Sequence, residues 1–106
     1  MLEKILVIVK GGGDLGTGVA YRLHRAGMRV VVTEQAQPTV IRRAVAFATA
    51  VYEGEIAIEG VVAHLAQDAA QAMRFLGEGL IPVVVDPRGS LGHELLPTAI
   101  VDAIMA

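Results

Sequence analysis

The chain has 106 residues and a mass of 11.1 kDa, the size of one domain, which argues against a separate catalytic domain. Hydrophobic residues make up 54% and charged residues 19%, so the composition excludes a disordered protein and predicts a large core. Nine basic and eleven acidic residues give a net charge of −2, which argues against binding to nucleic acids or to anionic membranes. Cysteine is absent, which excludes disulfides and metal sites with thiolate ligands.

The apolar residues also bear on location and assembly. No apolar run reaches the roughly 18 residues needed to cross a bilayer, and residues 1–10 lack the pattern of a signal peptide. We therefore expect a cytoplasmic protein without membrane contact. The apolar excess is more than a small domain readily buries, which predicts an interface with further sequence or with a second copy in a homo-oligomer.

The first third of the chain predicts a strand–helix–strand unit. Residues 5–9 (ILVIV) form an apolar run between two lysines, which is typical of a strand buried on both faces of a parallel sheet. After a glycine-rich turn, apolar residues recur at helical spacing from Leu15, and Gly27 is placed to cap the helix. Residues 28–33 (MRVVVT) predict a second buried strand that ends at Glu34.

The middle of the chain is less regular. Pro38 can open a short helix that continues through the arginines at 42–43, and residues 52–55 (YEGE) predict a turn. The apolar residues within 56–62 then indicate an extended segment. We expect an irregular or β-hairpin insertion at about residues 46–64.

The last third predicts a helix and then a third buried strand. Apolar spacing favours a helix from Leu65 to Phe75 that Gly77 or Gly79 ends, and residues 81–85 (IPVVV) form another strand. The turn cluster 86–90 (DPRGS) precedes one helical turn at Leu91 to Leu96 and a short fourth parallel strand at Thr98 to Val101. Together these elements predict an α/β, Rossmann-like three-layer domain with a mostly parallel sheet of about four to five strands.

The turn after the first strand fits the pattern G-x-G-x-x-G in the context that gives the pattern meaning, between a buried strand and an amphipathic helix. Gly11 would permit the tight turn, Gly13 would let the backbone approach a pyrophosphate, and Gly16 would let helix and strand pack closely. The helix N-terminus would face the phosphates, and the Thr17 hydroxyl would add a donor.

Glu34 and Asp14 bear on the same site in opposite ways. Glu34 lies 18 residues beyond Gly16, where a carboxylate at the end of the second strand accepts hydrogen bonds from the ribose of a dinucleotide. Asp14 would repel a bound phosphate, or would cap the helix by accepting from the N–H groups of residues 16 and 17. A glycine turn that binds nothing, with Glu34 merely solvated, is the alternative interpretation.

Other polar residues are weaker candidates. Arg42 and Arg43 either reach a phosphate or end a solvated helix, and Asp86, Arg88 and Ser90 follow a strand whose carboxyl end meets the edge that carries the glycine turn. The candidate cofactor-binding residues are therefore Gly11, Gly12, Gly13, Asp14, Gly16, Thr17, Glu34 and Asp86. The three histidines are far apart in sequence and no serine or threonine has an evident base, so we predict neither a metal site nor a hydrolytic triad.

A family resemblance extends over nearly the whole chain. It is carried by KGGGDLGTGVAYRLHRAG at 10–27, VVTEQAQPT at 31–39, IRRAVAF at 41–47, AVYEG at 50–54, IPVVVDP at 81–87 and IVDA at 100–103. These segments closely resemble the YqeB-like family, the accessory proteins of the selenium-dependent molybdenum hydroxylase system.

The resemblance implies a Rossmann-like domain in a protein linked to maturation or maintenance of molybdenum hydroxylases such as xanthine dehydrogenase, with a relation to the cofactor-insertion factor XdhC. Family members continue beyond the IVDA motif, so the resemblance implies a fragment or a shortened member. A second half would supply any function that is missing here and cover apolar surface.

Two classes of function follow. The first is an accessory domain that binds NAD(P) or another nucleotide, with no catalytic residue in this chain because no acid–base pair is identifiable. The second is a ligand-free interaction module that docks a hydroxylase, a cofactor carrier or its own copy. A further alternative for the ligand is the molybdopterin cofactor, whose dinucleotide form also offers a pyrophosphate to a glycine loop.

Overall fold

A computed structural model of the chain describes residues 2–38 and 43–104. Within them, six strands form one sheet in the order β3-β4-β5-β2-β1-β6. The strands are β1 (Leu6–Lys10), β2 (Arg29–Glu34), β3 (Glu55–Ile58), β4 (Val61–Ala66), β5 (Ile81–Val85) and β6 (Ala99–Asp102). The β3–β4 hairpin is antiparallel, whereas the other neighbouring strands are parallel.

Helices cover both faces of the sheet. They are α1 (Asp14–Arg25), α2 (Ala50–Glu53), α3 (Ala69–Gly77) and α4 (Leu91–Leu95), with short 3-10 turns at Leu2–Lys4, Arg43–Val45 and Phe47–Thr49. Side chains alternate along β1, so Val7 and Val9 pack towards α1 and α2, while Leu6 and Ile8 pack towards α3 and α4. The apolar strands therefore separate two cores, as expected for a parallel sheet buried on both faces.

The predicted fold class and most predicted elements are confirmed. The strand–helix–strand unit, the third strand, the helical turn after it and the last parallel strand lie where the sequence predicts them. The insertion contains a β-hairpin, closed by Glu59 and Gly60, which both have positive φ, as two-residue hairpin turns require.

Two predictions need correction. The sheet has six strands rather than four to five, because the hairpin joins the main sheet through β4. The predicted start of α3 at Leu65 is wrong: Leu65 lies in β4, paired with Val83 of β5, and the helix begins after Asp68, whose carboxylate accepts from the Gln71 N–H. Arg42 and most of the helix predicted from Pro38 lie outside the described residues.

The chain reverses direction across the sheet at β1. From β1 it passes to β2 and on to β3 at the far edge, comes back through β4 and β5, and then crosses through α4 to β6 on the other side of β1. In open α/β sheets, such a reversal leaves a crevice at the carboxyl ends of the strands. Among the helices at 2–38 and 43–104, none is long and apolar enough to cross a membrane.

Candidate functional site

The glycine loop begins with a tight turn at Gly11. Its φ is +96°, and its N–H donates to the carbonyl oxygen of Thr33 at 2.8 Å. A Cβ atom at this position would lie 3.1 Å from the carbonyl oxygen of Ala103, which follows β6. Glycine is therefore required at position 11 by both backbone conformation and space.

Gly12 is enclosed by the protein itself. Its N–H donates to Glu34 Oε1 at 2.5 Å, and its carbonyl oxygen accepts from the Ala48 N–H at 2.8 Å. A Cβ atom on Gly12 would lie 2.9 Å from the Ala48 nitrogen. This part of the loop is fixed on both sides and faces protein rather than the space outside it.

Gly16 brings α1 against the loop. A Cβ atom there would lie 1.7 Å from the carbonyl oxygen of Gly11 and 3.5 Å from the Ala103 side chain. The close packing of helix and strand predicted for this glycine is thus present.

Gly13 differs from Gly11, Gly12 and Gly16, the other glycines of residues 11–16. Its φ of −77° and ψ of −159° suit any residue. Beyond its two chain neighbours, no described residue has a heavy atom within 4 Å of the position that its Cβ would occupy. Neither backbone conformation nor internal packing accounts for glycine here. Gly13 lines the open cleft at this edge of the sheet.

The N-terminus of α1 opens at Gly13. Gly13 holds the N-cap position and its carbonyl oxygen accepts from the Thr17 N–H at 2.8 Å, so the predicted N-cap at Asp14 is corrected by one residue. Asp14 is the first helical residue and is exposed. The N–H groups of a first helical turn have no partner within the helix, which makes this end suited to an anion.

Thr17 has a structural position. Its hydroxyl donates to the Gly12 carbonyl oxygen at 3.1 Å and accepts from the Phe47 N–H at 2.9 Å, and the side chain is buried. A hydroxyl has one hydrogen to donate. In this geometry that hydrogen is directed at Gly12, so Thr17 holds the loop against the segment at 47–49 instead of presenting a donor to the cleft.

Glu34 is half-buried at the end of β2. One carboxylate oxygen accepts from Gly12 N–H, and the other accepts from Gln35 N–H at 3.0 Å. A carboxylate has about four acceptor positions, so two hydrogen bonds leave capacity for hydroxyl groups of a ligand. Glu34 both fixes the loop and lines the cleft.

Asp86 fixes the turn after β5. Its Oδ1 accepts from the Ser90 N–H at 3.1 Å and from the Ser90 hydroxyl at 3.0 Å, and its Oδ2 accepts from the Leu91 N–H at 2.9 Å. These contacts make Asp86 the anchor of the 86–90 turn. It lies beside Glu34 through a hydrogen bond from its own N–H to the Glu34 carbonyl oxygen.

These residues meet in a cleft of about 610 Å³ at the carboxyl edge of the sheet. That volume is within the range of small-molecule sites, and the cleft lies at the chain reversal between β1 and β6. Its lining includes Lys10, Gly11, Gly13, Asp14, Leu15, Thr33, Glu34, Gln35, Pro38, Ala46, Asp86, Pro87, Arg88, Gly89, Ala103 and Ile104.

Sequence reasoning missed several members of this site. Ala103 and Ile104 line the cleft because β6 pairs with β1, and the sequence gives no local signal for that proximity. Lys10 directly follows the first apolar run in the sequence, but the sequence did not identify it as a residue of the site. Over the described ranges, no group of three or more His, Cys, Asp or Glu residues is arranged to hold a metal ion.

Comparison with known proteins finds a relative that is similar over nearly the whole of this chain. The chain is 52% identical over 101 residues to "Uncharacterized protein YqeB" of Escherichia coli strain K12, and the match covers 95% of this chain. Over nearly all of its own length the chain is therefore similar to YqeB. The matched region makes up 19% of that protein, so this chain spans about a fifth of the length of its YqeB relative. No family model matches the sequence, and no solved structure does.

Proposed function

We propose that this domain binds a nucleotide or dinucleotide in the cleft between the glycine loop, Glu34 and the 86–90 turn. The phosphates lie at the N-terminus of α1, and Glu34 accepts hydrogen bonds from the ribose. No residue of the chain is assigned a catalytic role in this proposal. Any reaction would need groups supplied from elsewhere.

The observation that carries the proposal is the environment of Gly13. Gly11, Gly12 and Gly16 are explained by a positive φ or by atoms of the protein that a Cβ would meet. Gly13 has neither constraint, yet it lies at the N-cap of α1 and on the wall of the cleft. Close approach of a ligand to the backbone is a reason for glycine at such a position.

The nature of the base is open in this proposal. In this proposal the glycine loop contacts phosphate and the Glu34 carboxylate contacts ribose. Neither contact distinguishes one nucleotide base from another. NAD(P), another adenine nucleotide and the dinucleotide form of the molybdopterin cofactor all satisfy the two contacts. The resemblance to the YqeB-like family supports an accessory role in the maturation or maintenance of selenium-dependent molybdenum hydroxylases, and this role is part of the proposal.

Thermal unfolding tests the proposal with a panel of NAD, NADP, ADP, CTP and CDP at millimolar concentration. A ligand at 100 times its dissociation constant stabilises the native state by about 2.7 kcal/mol. In a domain of this size, that raises the melting temperature by more than about 5 °C. The absence of a shift with every nucleotide in the panel would reject nucleotide binding by this chain.

A second candidate is a module that associates with its own copy, which the β6 edge favours. Two large apolar side chains are exposed there: Ile100 of β6 is 51% exposed, and Leu96, which precedes this strand, is 79% exposed. The opposite edge strand, β3, carries Glu55 and is followed by Glu59, which are charges of the kind that discourage edge pairing. Sedimentation velocity distinguishes this candidate: self-association abolished by Ile100→Lys but not by Met73→Lys supports it, and a monomer at all concentrations rejects it.

A further inference from the structure

The cleft has a positively charged wall formed by Lys10 and Arg88, in addition to the N-terminus of α1. Lys10 is the last residue of β1, is half-buried and lines the cleft. Its Nζ lies 3.8 Å from the position that a Cβ on Gly89 would occupy, so the ammonium group is beside the 86–90 turn. Arg88 is exposed on that turn and lines the same cleft.

The two cations lie on the opposite side of the sheet edge from α1. Residues two apart in a strand share a face, so the side chain of Lys10 lies on the same face of the sheet as Leu6 and Ile8. This face is covered by α3 and α4. The 86–90 turn leads into α4 on that same face, where Leu91 is buried. The cleft therefore crosses the edge of the sheet, from the N-terminus of α1 to the pair Lys10 and Arg88.

Three acidic residues, Asp14, Glu34 and Asp86, line the same cleft as this pair. Both oxygens of Glu34 accept from backbone N–H groups, and those of Asp86 accept from Ser90 and Leu91. For the part of the chain that the structure describes, we find no hydrogen bond or ion pair of the Lys10 ammonium or the Arg88 guanidinium to an acidic side chain.

The 86–90 turn fixes the backbone at Arg88. Pro87 occupies its second position, Gly89 has a φ of +70° at the fourth, and the Gly89 N–H donates to the Asp86 carbonyl oxygen at 3.2 Å. The Asp86 carboxylate then ties the end of the turn to α4. Proline at the second position and glycine at the fourth are favoured in such turns, so the backbone that carries Arg88 has a defined conformation.

We propose that Lys10 and Arg88 bind a phosphoryl group at this second wall of the cleft. The inference rests on the proposed function for its location, and it adds a second anion position separate from the N-terminus of α1. Lysine offers a point charge to phosphate and arginine offers paired donors. The phosphoryl group belongs either to the nucleotide itself or to a second, phosphorylated molecule bound beside it.

Isothermal titration with inorganic pyrophosphate tests the inference, because this probe has neither base nor ribose. We expect Lys10→Met to weaken binding about tenfold, the loss of roughly one charged hydrogen bond, and Lys10→Arg to retain most of the affinity. Lys4→Met is the matched control, since Lys4 is exposed near the other end of β1. Arg88→Met is compared with Arg22→Met, which removes an exposed arginine of α1.

The outcomes of these titrations distinguish the possible sources of the phosphoryl group. Pyrophosphate binding that Lys10→Met weakens in the presence of saturating ADP supports a second phosphorylated molecule, whereas competition between ADP and pyrophosphate at Lys10 supports a phosphate of the nucleotide itself. Equal affinities of Lys10→Met and Lys4→Met, or no binding to the wild type, would overturn the inference. A nucleotide that stabilises the chain while Lys10→Met has no effect would leave the proposed function standing without the second anion position.

Discussion

The carboxylate of Glu34 accepts a hydrogen bond from the backbone N–H of Gly12, the residue at the centre of the glycine loop. The side chain that we propose to contact ribose therefore also holds the glycine loop in place. A loop that is fixed before the ligand arrives loses less conformational entropy on binding. The two roles can be separated by substitutions that keep or remove the acceptor oxygen.

We predict different effects of Glu34→Ala and Glu34→Gln. The alanine variant leaves the buried Gly12 N–H without its acceptor, so the free energy of unfolding falls by about 1–3 kcal/mol in chemical denaturation. The glutamine variant keeps an acceptor oxygen and loses less stability, but weakens nucleotide binding about tenfold because the charge is gone. Equal stability losses in the two variants would show that the hydrogen bond to Gly12 contributes nothing.

Thr17 provides a second test of the loop. Thr17→Val removes the hydroxyl that accepts from Phe47 and donates to Gly12, so we expect a loss of about 1–3 kcal/mol in the free energy of unfolding. Thr17→Ser retains the hydroxyl and loses only a methyl group, with a loss of about 0.8 kcal/mol. If serine is more destabilising than valine, packing of the methyl group contributes more to stability at this position than the hydrogen bonds of the hydroxyl.

Gly16 and Gly18 form a matched pair on α1. Even a Cβ on Gly16 would lie 1.7 Å from the Gly11 carbonyl oxygen, so Gly16→Val should cost at least about 2 kcal/mol of stability. The position of a Cβ on Gly18 is free of neighbours within 4 Å, so Gly18→Val should change stability by less than about 0.5 kcal/mol. Urea denaturation of both variants measures the difference, and similar midpoints would contradict the close approach of α1 to the loop.

Gly13→Val separates function from folding. Gly13 has backbone angles that valine adopts and open space at its Cβ, so we expect a stability loss below about 1 kcal/mol, of the size of an altered N-cap. The added side chain would occupy the approach to the N-terminus of α1 and reduce nucleotide affinity at least about tenfold. Unchanged affinity in a well-folded Gly13→Val protein would place the ligand elsewhere.

The sequence predicts the strands, the main helix and the glycine loop because their signals are local. Apolar runs, helical spacing and a positive-φ glycine are each readable within a few residues. The extent of β4 is not predictable from the local sequence, because Leu65 fits a helical pattern but is held in a strand by its pairing with Val83. Tertiary pairing overrides local preference at such positions.

The roles of individual site residues depended on long-range contacts. Glu34 and Thr17 were singled out from the sequence, but their partners Gly12 and Phe47 follow from how the loop, β2 and the 47–49 segment pack together. Asp86 was singled out as a ligand-binding residue, and its oxygens accept from its own turn. Residue type and spacing indicate where a site lies. The hydrogen bonds that each side chain already makes within the protein determine which donors and acceptors are available to a ligand.

The most direct measurement is a titration of the isotopically labelled protein with ADP, followed through its backbone amide resonances. The account predicts that the largest shifts occur at the amides of residues 13–16, at the N-terminus of α1, with smaller shifts at Gln35 next to Glu34. Shifts that are absent with millimolar ADP, CDP and NAD alike, or that are centred away from the glycine loop, would contradict the proposal that this cleft binds nucleotide phosphates.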